Sequence, residues 1–364
     1  MKKAVIVNAK RTVIGKENGV LKNYSPEQLA SFVIRDLTKD LNEPVEDIIL
    51  GNTVGPGGNL ARLSALESGQ PYTVPGITID RQCGSGLEAI RLACHLIQGG
   101  AGDIYIAGGV ESVSTSHFKS RARFSPEHIG DPDMGIAAEN VAGKYGITRE
   151  MQDEFATLSY QRSLESFDKG YFSDEMVRIA GIPLRDEGLK PDLNYERMLK
   201  RVSPCFKKNG TVTAGNSCGV NDGAAAVLIM SEDKAKELNL QPILSFVDSS
   251  VTGVDPNYPA SSPVQAVSKL LSKTNLSIED IDLIELNEAF AVKVALFAQA
   301  FSISYDRINP EGGAIALGHP YGASGAILVT RLFYEAQRLV PNYCVSAIGI
   351  GGGLGIAVLW ERIT

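Results

Sequence analysis

The sequence predicts an α/β protein made of two halves of the same design. Three features recur in the same order in both halves. They are an E-D-I-x-L motif at 46–50 and 279–283, a glycine turn that opens a helix at 84–86 and 322–325, and a strand ending in glycines at 104–109 and 345–353. Repetition of three features in one order indicates an internal duplication.

The remaining elements fit this scheme in chain order. Each half begins with an apolar strand, at 4–7 and 242–247, followed by an amphipathic helix predicted over 26–39 and 262–273. The E-D-I-x-L strand comes next, and then the glycine turn, its helix and the glycine-ended strand. The order strand, helix, strand, glycine turn, helix, strand therefore occurs twice.

A polar, helix-rich stretch from 112 to 215 interrupts this pattern and predicts an inserted loop domain or lid. We therefore divide the chain into an N-terminal half (1–111 with 216–241), the inserted domain (112–215) and a C-terminal half (242–364). A length of 364 residues suits two core units with an insertion.

Composition excludes several classes of function. The 35 basic and 42 acidic residues and a pI near 5.3 predict no binding to nucleic acid or anionic membranes. We expect a soluble, cytoplasmic protein, because no apolar run has the length of a signal peptide core or a membrane span. The five cysteines have no metal-ligand or disulfide spacing, so neither a metal nor another cofactor is expected.

Cys83 is the first candidate catalytic residue. It lies between a predicted strand, Ile77–Asp80, and a helix that begins at about Gly84. A helix N-terminus favours the thiolate, so we expect a lowered pKa and a nucleophilic sulfur. Cys94, on the apolar face of that helix, is interpreted as a core thiol.

His319 is the second candidate, because it stands in a glycine-flanked turn rather than in an apolar core segment. The duplication places Cys83 and His319 at equivalent turns of the two halves, which predicts a Cys–His pair. Asn287, at the end of an apolar strand, is read either as a turn former or as an amide that orients a water or the imidazole. The backbone N–H groups of 349–353 are candidate oxyanion donors.

These residues together resemble the thiolase family. The matching segments are CGSG at 83–86, GGVES at 108–112, MGIAAENVAGKYGITREMQDEFA at 134–156, GTVTAGNSCGVNDGAAAV at 210–227, NEAFA at 287–291, GGAIALGHPYGASGA at 312–326 and GIGGGLGIA at 349–357. The resemblance implies the thiolase fold, five αβαβα layers with a loop domain, and lipid metabolism. The implied reaction interconverts two acetyl-CoA with acetoacetyl-CoA plus CoA, with coenzyme A thioesters as substrates and no cofactor.

The resemblance also implies roles for individual residues. Cys83 would carry the acyl group, His319 would activate it, and Asn287 would position a water in the oxyanion hole of the thioester. The backbone N–H groups of Cys83 and Gly351 would form a second oxyanion hole. Met134 and Phe290 would border the acyl pocket, and Lys190 and the FKKNG segment at 206–210 are candidates for coenzyme A phosphate contacts.

The sequence departs from the family pattern at three places. Gly349 stands where thiolases normally have a second catalytic cysteine, the acid/base for the incoming acetyl group. Cys344 lies five residues away on a strand, about 16 Å, with the opposite orientation, so it cannot replace that cysteine. Cys218 stands where biosynthetic thiolases carry a serine near coenzyme A, so we expect it to approach the ligand, and its substitution for the acid/base is an open alternative. The stretch 112–134 is short, so we expect a homodimer rather than a tetramer.

Three functions stay open at this point. The first is an acyl-CoA acyltransferase in which another group replaces the missing cysteine. The second is a thioesterase or a decarboxylating condensing enzyme that uses Cys83, His319 and Asn287 without a second cysteine. The third is a non-catalytic acyl-CoA-binding protein. The presence of these three residues favours the two enzymes over it, whereas Gly349 favours the second and third functions over a normal thiolase.

Overall fold

A computed structural model describes residues 2–118 and 120–363 of the chain. The strands are β1 (Ala4–Arg11), β2 (Gly15–Lys16), β3 (Asp47–Gly51), β4 (Gly76–Ile79), β5 (Ile104–Glu111), β6 (Asn221–Ser231), β7 (Leu244–Gly253), β8 (Leu283–Leu286), β9 (Tyr343–Ile350) and β10 (Leu354–Arg362). The helices are α1 (Pro26–Thr38), α2 (Leu60–Glu67), α3 (Ser85–Gln98), α4 (Met134–Tyr145), α5 (Arg149–Asp168), α6 (Tyr195–Leu199), α7 (Glu232–Glu237), α8 (Ser262–Thr274), α9 (Ala291–Phe301), α10 (Ala314–Leu317) and α11 (Tyr321–Leu339). Short 3₁₀ helices cover Val113–Thr115, Pro259–Ser261, Ile278–Asp280 and Tyr305–Arg307.

Hydrogen bonds join the strands into one ten-stranded sheet, whose N- and C-terminal halves have matching topology and meet edge to edge. The N-terminal half has the order β4-β3-β5-β6-β1, and the C-terminal half continues it as β7-β10-β9-β8. In each half the first two pairings from the shared edge are antiparallel and the next is parallel. Val5 and Ile6 pair with Ser245 and Leu244 to join the halves. This topology matches the duplication that the sequence predicts.

Helices α3 and α11 form the central layer, and helices cover the two outer faces. Both central helices pack against strands of the N-terminal half, and α11 also contacts β9 and β8. Residues 322–336 of α11 are all buried, as expected for a helix covered on every side. Helices α1 and α8 lie on the outer faces of the N- and C-terminal halves of the sheet. The predicted five-layer thiolase arrangement is therefore confirmed.

The segment between β5 and β6 carries α4, α5 and α6 and packs on the C-terminal half. Helix α5 contacts α9 and α10, and α4 contacts α9. A small apolar cluster made by Val141, Ala142, Val292 and Ala295 fixes α4 against α9. The exact domain boundaries stay a prediction. None of the helices in the described residues is both long and apolar enough to cross a membrane.

Candidate active site

Cys83 lies in a sharp turn between β4 and α3. Gln82 adopts a left-handed conformation with φ of 47°, which turns the chain immediately before the cysteine. Ser85 Oγ accepts a hydrogen bond of 2.8 Å from the Arg81 N–H and donates one of 2.6 Å to the Gln82 carbonyl. The turn is thus fixed by local hydrogen bonds, and Gly84 is the N-cap of α3, as the sequence indicated.

Two glycines allow the central helices to touch at their first turns. A Cβ atom on Gly86 would lie 2.8 Å from the carbonyl oxygen of Gly322, and one on Gly325 would lie 2.4 Å from the backbone nitrogen of Leu87. Backbone atoms cannot yield to such contacts cheaply, so both positions require glycine for this packing. The close approach brings the turn that carries Cys83 next to the turn that carries His319.

Cys83 and His319 line one cavity of about 720 Å³. Cys218 also lines it, so three of the candidate residues with titratable side chains face the same space. Met134 and Phe290 contribute to its wall, together with aromatic side chains that the sequence interpretation did not single out: Phe118, Phe124, Phe206 and Tyr321. A cavity with an apolar wall and a few convergent polar groups suits an acyl chain attached to a polar carrier.

His319 is buried and held in one orientation. Its Nδ1 lies 2.5 Å from Ser324 Oγ, which donates its own hydrogen to the Pro320 carbonyl at 2.9 Å. Nδ1 therefore carries the imidazole hydrogen and Nε2 keeps a lone pair. Burial lowers the pKa of His319 to about 3, and the nearby charge of Lys293 acts in the same direction. The ring is neutral and its Nε2 can accept a proton.

Asn221 supports the backbone around His319. Its Oδ1 accepts a hydrogen bond of 3.0 Å from the His319 N–H, and its Nδ2 donates to the Gly15 carbonyl. Gly318 has a φ of +121°, and a Cβ there would meet the Asn221 amide at 2.5 Å. Glycine is therefore needed before His319, which explains the G-H pair of the sequence motif.

The expected lowered pKa of Cys83 is wrong. Burial raises the pKa of the Cys83 thiol above its ordinary value, and this effect exceeds the opposing effects of the Lys293 charge and of the N–H groups of Gly351 and Cys83. The thiol therefore needs a base to become a nucleophile. The same contacts place the N–H groups of Gly351 and Cys83 at the sulfur, the positions expected for oxyanion donors.

Asn287 follows β8 directly and faces a second, very small cavity. That cavity has a volume of about 20 Å³ and is lined by Asn287 together with Gly318 and Ser324, the neighbours of His319. This is room for one water molecule. Within the described residues, neither Asn287 Nδ2 nor His319 Nε2 has a hydrogen-bond partner although both are buried. Buried unpaired polar atoms of this kind indicate a site for a polar ligand or water.

The remaining candidate residues are Cys218, which lines the cavity of Cys83, and several that do not. Burial raises the pKa of Cys218 to about 12, so this thiol stays protonated. Lys190 lines a different cavity of about 610 Å³, which shares Ser217 and Gly219 with the first, and so does not face Cys83. Cys344 and Cys94 are fully buried core thiols. Gly349 lies near the end of β9, and a Cβ there would lie 3.0 Å from Pro263.

Two residues of this region are missing from the sequence prediction. Glu111 accepts hydrogen bonds from the Asn52 side chain and from the backbone N–H groups of Thr53, Val54 and Gly322, so it ties the α11 terminus to the N-terminal half. Lys293 is buried, with 4% of its surface exposed. The sequence could have indicated Lys293, because it is the one charged residue in the apolar run 289–298.

Family models match nearly the whole chain. The model described as the thiolase N-terminal domain matches residues 4–233, and the model described as the thiolase C-terminal domain matches residues 240–362.

Curated proteins and solved structures give the same result. A Bacillus subtilis protein named "Putative acetyl-CoA C-acetyltransferase YhfS" is 56% identical over 98% of this chain and 99% of its own length. A Staphylococcus aureus protein named "Putative acetyl-CoA C-acetyltransferase VraB" is 46% identical over 100% of both chains. The crystal structure of the Bacillus anthracis acetyl-CoA acetyltransferase has a TM-score of 0.93 at 36% identity, covering 100% of this chain and 99% of that one. Human mitochondrial 3-ketoacyl-CoA thiolase in complex with CoA has a TM-score of 0.92 at 36% identity, covering 100% of this chain and 98% of that one.

Proposed function

Because this chain belongs to the thiolase family, we propose that it is an acyl-CoA C-acyltransferase that carries the acyl group on Cys83. The substrates proposed are two molecules of acetyl-CoA, converted to acetoacetyl-CoA and coenzyme A, and the same steps in reverse. The observation that carries the proposal is the shared cavity, in which Cys83 faces a neutral His319 with a free lone pair on Nε2.

The first half-reaction follows from the protonation states. His319 Nε2 takes the proton of the Cys83 thiol, which burial keeps protonated at neutral pH, and the sulfur attacks the thioester carbonyl of acetyl-CoA. The C–S bond to coenzyme A then breaks, and its sulfur takes the proton back from His319. The N–H groups of Cys83 and Gly351 lie at the sulfur and would bind the oxyanion of the tetrahedral intermediate.

Asn287 and His319 fit a second oxyanion hole. In the second half-reaction a thioester oxygen gains negative charge when its α-carbon loses a proton. The buried Nδ2 of Asn287 and Nε2 of His319 lack partners among the described residues, and the 20 Å³ cavity beside them has room for one water. We propose that Asn287 Nδ2 donates a hydrogen bond to this water, which in turn donates one to the thioester oxygen and one to the lone pair of His319 Nε2.

The wall of the main cavity supports an acyl substrate. Met134, Phe206 and Phe290 are apolar and line it, with Phe206 and Phe290 in edge-to-face contact at 6.1 Å between ring centroids. Coenzyme A would enter at the exposed side of this cavity, where Phe118 is 64% exposed. Lys207 and Lys208, next to Phe206, are the proposed phosphate contacts in preference to Lys190, which lines the other cavity.

Two broader expectations belong to the same proposal. We propose a homodimer, and we propose a cytoplasmic enzyme of lipid metabolism. The oligomeric state is tested by light scattering on the purified protein, where a mass of twice 38.9 kDa is expected. A mass of one or four subunits would refute the dimer.

The acyl-enzyme is tested by mass spectrometry. Purified protein is incubated with acetyl-CoA, and its intact mass and peptide map are recorded. We expect one acetyl group on Cys83, absent in Cys83→Ala and retained in Cys205→Ser, since Cys205 is an exposed cysteine outside the cavity. Coenzyme A added afterwards should remove the group as acetyl-CoA. An unmodified protein would refute the proposal, and release of free acetate without coenzyme A would favour a thioesterase instead.

A further inference from the structure

Lys293 is a buried lysine that has no acidic partner among the described residues. It is the third residue of α9 and has 4% of its surface exposed. Among the described residues its Nζ makes one hydrogen bond, a long one of 3.4 Å to the carbonyl oxygen of Gly349. An ammonium group has three N–H donors, so most of its hydrogen-bonding capacity is unused.

The contacts of Lys293 among the described residues do not offset the free-energy cost of burying its charge. A buried cation is costly unless a carboxylate or several acceptors surround it. The first turn of a helix adds to the cost, because the helix dipole disfavours positive charge there. The neighbouring α9 residues, such as Val292 and Val294, are apolar and fully buried, so an uncharged side chain would suit position 293 better. A residue that fits its structural setting this poorly is a candidate for chemistry.

The charge of Lys293 acts on groups of the proposed active site. Its charge acts on the pKa values of Cys83, Cys218 and His319, which come from three different segments. The carbonyl oxygen of Gly349, which accepts the hydrogen bond from Lys293, comes from a fourth segment, β9. Burial lowers the pKa of Lys293 to about 8, with the two thiols acting in the opposite direction. A group with this pKa exchanges protons readily near neutral pH.

The titratable groups that line the cavity, to which Lys293 does not itself belong, are unsuited to the second half-reaction. Cys83 carries the acyl group at that stage, and His319 Nε2 accepts a hydrogen bond from the proposed water. The pKa of Cys218, near 12, keeps its thiol protonated, and Arg121 and Asp133 are paired with each other. Burial also raises the pKa of Tyr321 well above that of free tyrosine. Position 349 offers no side chain at all.

We propose that Lys293 is the catalytic acid/base of the second half-reaction, acting beside Gly349 where the side chain of the usual second cysteine is missing. This inference rests on the proposed function and adds to it the group that transfers the proton.

The step balances in both directions. In condensation, the lone pair of Nζ takes a proton from the α-carbon of the second acetyl-CoA, and the electrons of that C–H bond form the enolate. The enolate carbon attacks the acetyl-Cys83 carbonyl, a C–C bond forms, the C–S bond breaks, and the Cys83 sulfur takes the proton from Lys293. In thiolysis, Lys293 Nζ takes the proton of the Cys83 thiol as the sulfur attacks the 3-keto carbon, the C2–C3 bond breaks, and Lys293 delivers that proton to the departing carbon.

The test separates the two half-reactions. Acetylation of Cys83 is followed by intact mass, and removal of the α-proton is followed by deuterium uptake into acetyl-CoA in D₂O. Lys293→Met removes the proton carrier, and Lys293→Arg keeps the charge but cannot give up its proton at neutral pH. Lys269→Met is the matched control, an exposed lysine on the neighbouring helix α8.

We expect normal acetylation in all variants and loss of deuterium uptake by roughly 10²- to 10⁴-fold in Lys293→Met and Lys293→Arg, but not in Lys269→Met. In wild type, uptake should rise with pH through about 8, where the amine becomes free. Undiminished uptake in either Lys293 variant, or acetylation without uptake in wild type, would refute the role of Lys293. Failure of wild type to acetylate would instead refute the proposed function itself.

Discussion

The hydroxyl of Ser324 fixes the tautomer of His319. Ser324 donates its hydrogen to the Pro320 carbonyl and accepts one from His319 Nδ1, which leaves Nε2 free as the base for Cys83. Because the Cys83 thiol is protonated at neutral pH, acylation depends on this orientation of the ring.

Ser324→Ala should therefore slow acetylation of Cys83. The imidazole loses its fixed tautomer, and we expect the rate to fall roughly 10- to 100-fold, part of the 10²–10⁴ that acid–base catalysis contributes. The rate is measured by quenched-flow intact mass. Thr330→Val on the same helix is the control, because its buried hydroxyl has no partner among the described residues. Equal rates in Ser324→Ala and wild type would show that the tautomer is set by something else.

Gly325→Ala should separate the two catalytic turns. The added methyl group would lie 2.4 Å from the Leu87 nitrogen, so α11 must move away from α3. We expect a loss of about 1–3 kcal/mol in the free energy of unfolding, and slower acetylation. Urea unfolding and the acetylation assay measure the two effects.

The control for this change is Gly143→Ala. Gly143 lies in α4, and a Cβ there would meet nothing within 4 Å. Alanine should stabilise the protein by about 0.4–1 kcal/mol. If Gly325→Ala changed neither the free energy of unfolding nor the rate of acetylation, the close contact between α3 and α11 would be contradicted.

Stability should fall in acid because of His319. Its pKa is about 3 in the folded protein and 6.5 ordinarily, so between these values the unfolded chain binds more protons at this site. The contribution of the neutral ring is complete above pH 6.5 and is lost as the pH falls, by at most about 1.4 kcal/mol per pH unit. The free energy of unfolding, measured with urea at pH 7, 6 and 5, should decrease less steeply for His319→Asn than for wild type. His128 is exposed, so the free energy of unfolding of His128→Asn should fall with pH as it does in wild type. The same dependence on pH in all three proteins would show that His319 is not the cause of the loss of stability in acid.

Lys293→Met should stabilise the protein while it removes activity. The pKa of Lys293 is about 8 when folded and 10.5 ordinarily, so at pH 7 both states are protonated and the cost of the buried charge is fully present. This corresponds to a gain on the order of 3 kcal/mol for the variant, measured by urea unfolding. In wild type, stability should rise with pH between about 8 and 10.5, where the unfolded chain binds more protons. A destabilised Lys293→Met would indicate that the lysine has a structural role.

Cys218→Ser should leave proton transfer nearly unchanged. The Cys218 thiol lines the cavity, but its pKa of about 12 keeps it protonated, so it is a poor base. We expect deuterium uptake into acetyl-CoA within about threefold of wild type, with any change confined to KM. A loss of uptake comparable to that of Lys293→Met would assign the proton transfer to Cys218 instead.

The duplication and the Cys83–His319 pair could be predicted because their signals are local, and the five layers followed from the resemblance to the thiolase family. Glycine turns, apolar strands and the motifs around 83 and 319 each occupy a short stretch, and the repeat places them at equivalent positions. The structure explains why glycine is required at Gly86 and Gly325. A side chain on either one would collide with backbone atoms of the opposite central helix.

The remaining features depend on contacts between distant segments. Lys293 and Gly349 are 56 residues apart in the sequence. The sequence shows that position 349 lacks the catalytic cysteine, but it does not show which distant side chain lies near that position. The pKa of Cys83 was predicted in the wrong direction because the helix terminus is visible in the sequence, whereas the burial that outweighs it is not. Lys190 is a candidate phosphate contact only through the resemblance to the thiolase family, and the fold places it in a neighbouring cavity.

Cleavage of acetoacetyl-CoA by coenzyme A tests the central claim most directly, because it requires both Cys83 and the proton donor. Steady-state thiolysis is measured for wild type, Cys83→Ala and Lys293→Met under the same conditions. We predict turnover by wild type and its loss in both variants, with Lys293→Met still able to accept an acetyl group on Cys83. Wild-type protein that acetylates Cys83 but does not cleave acetoacetyl-CoA would contradict this account.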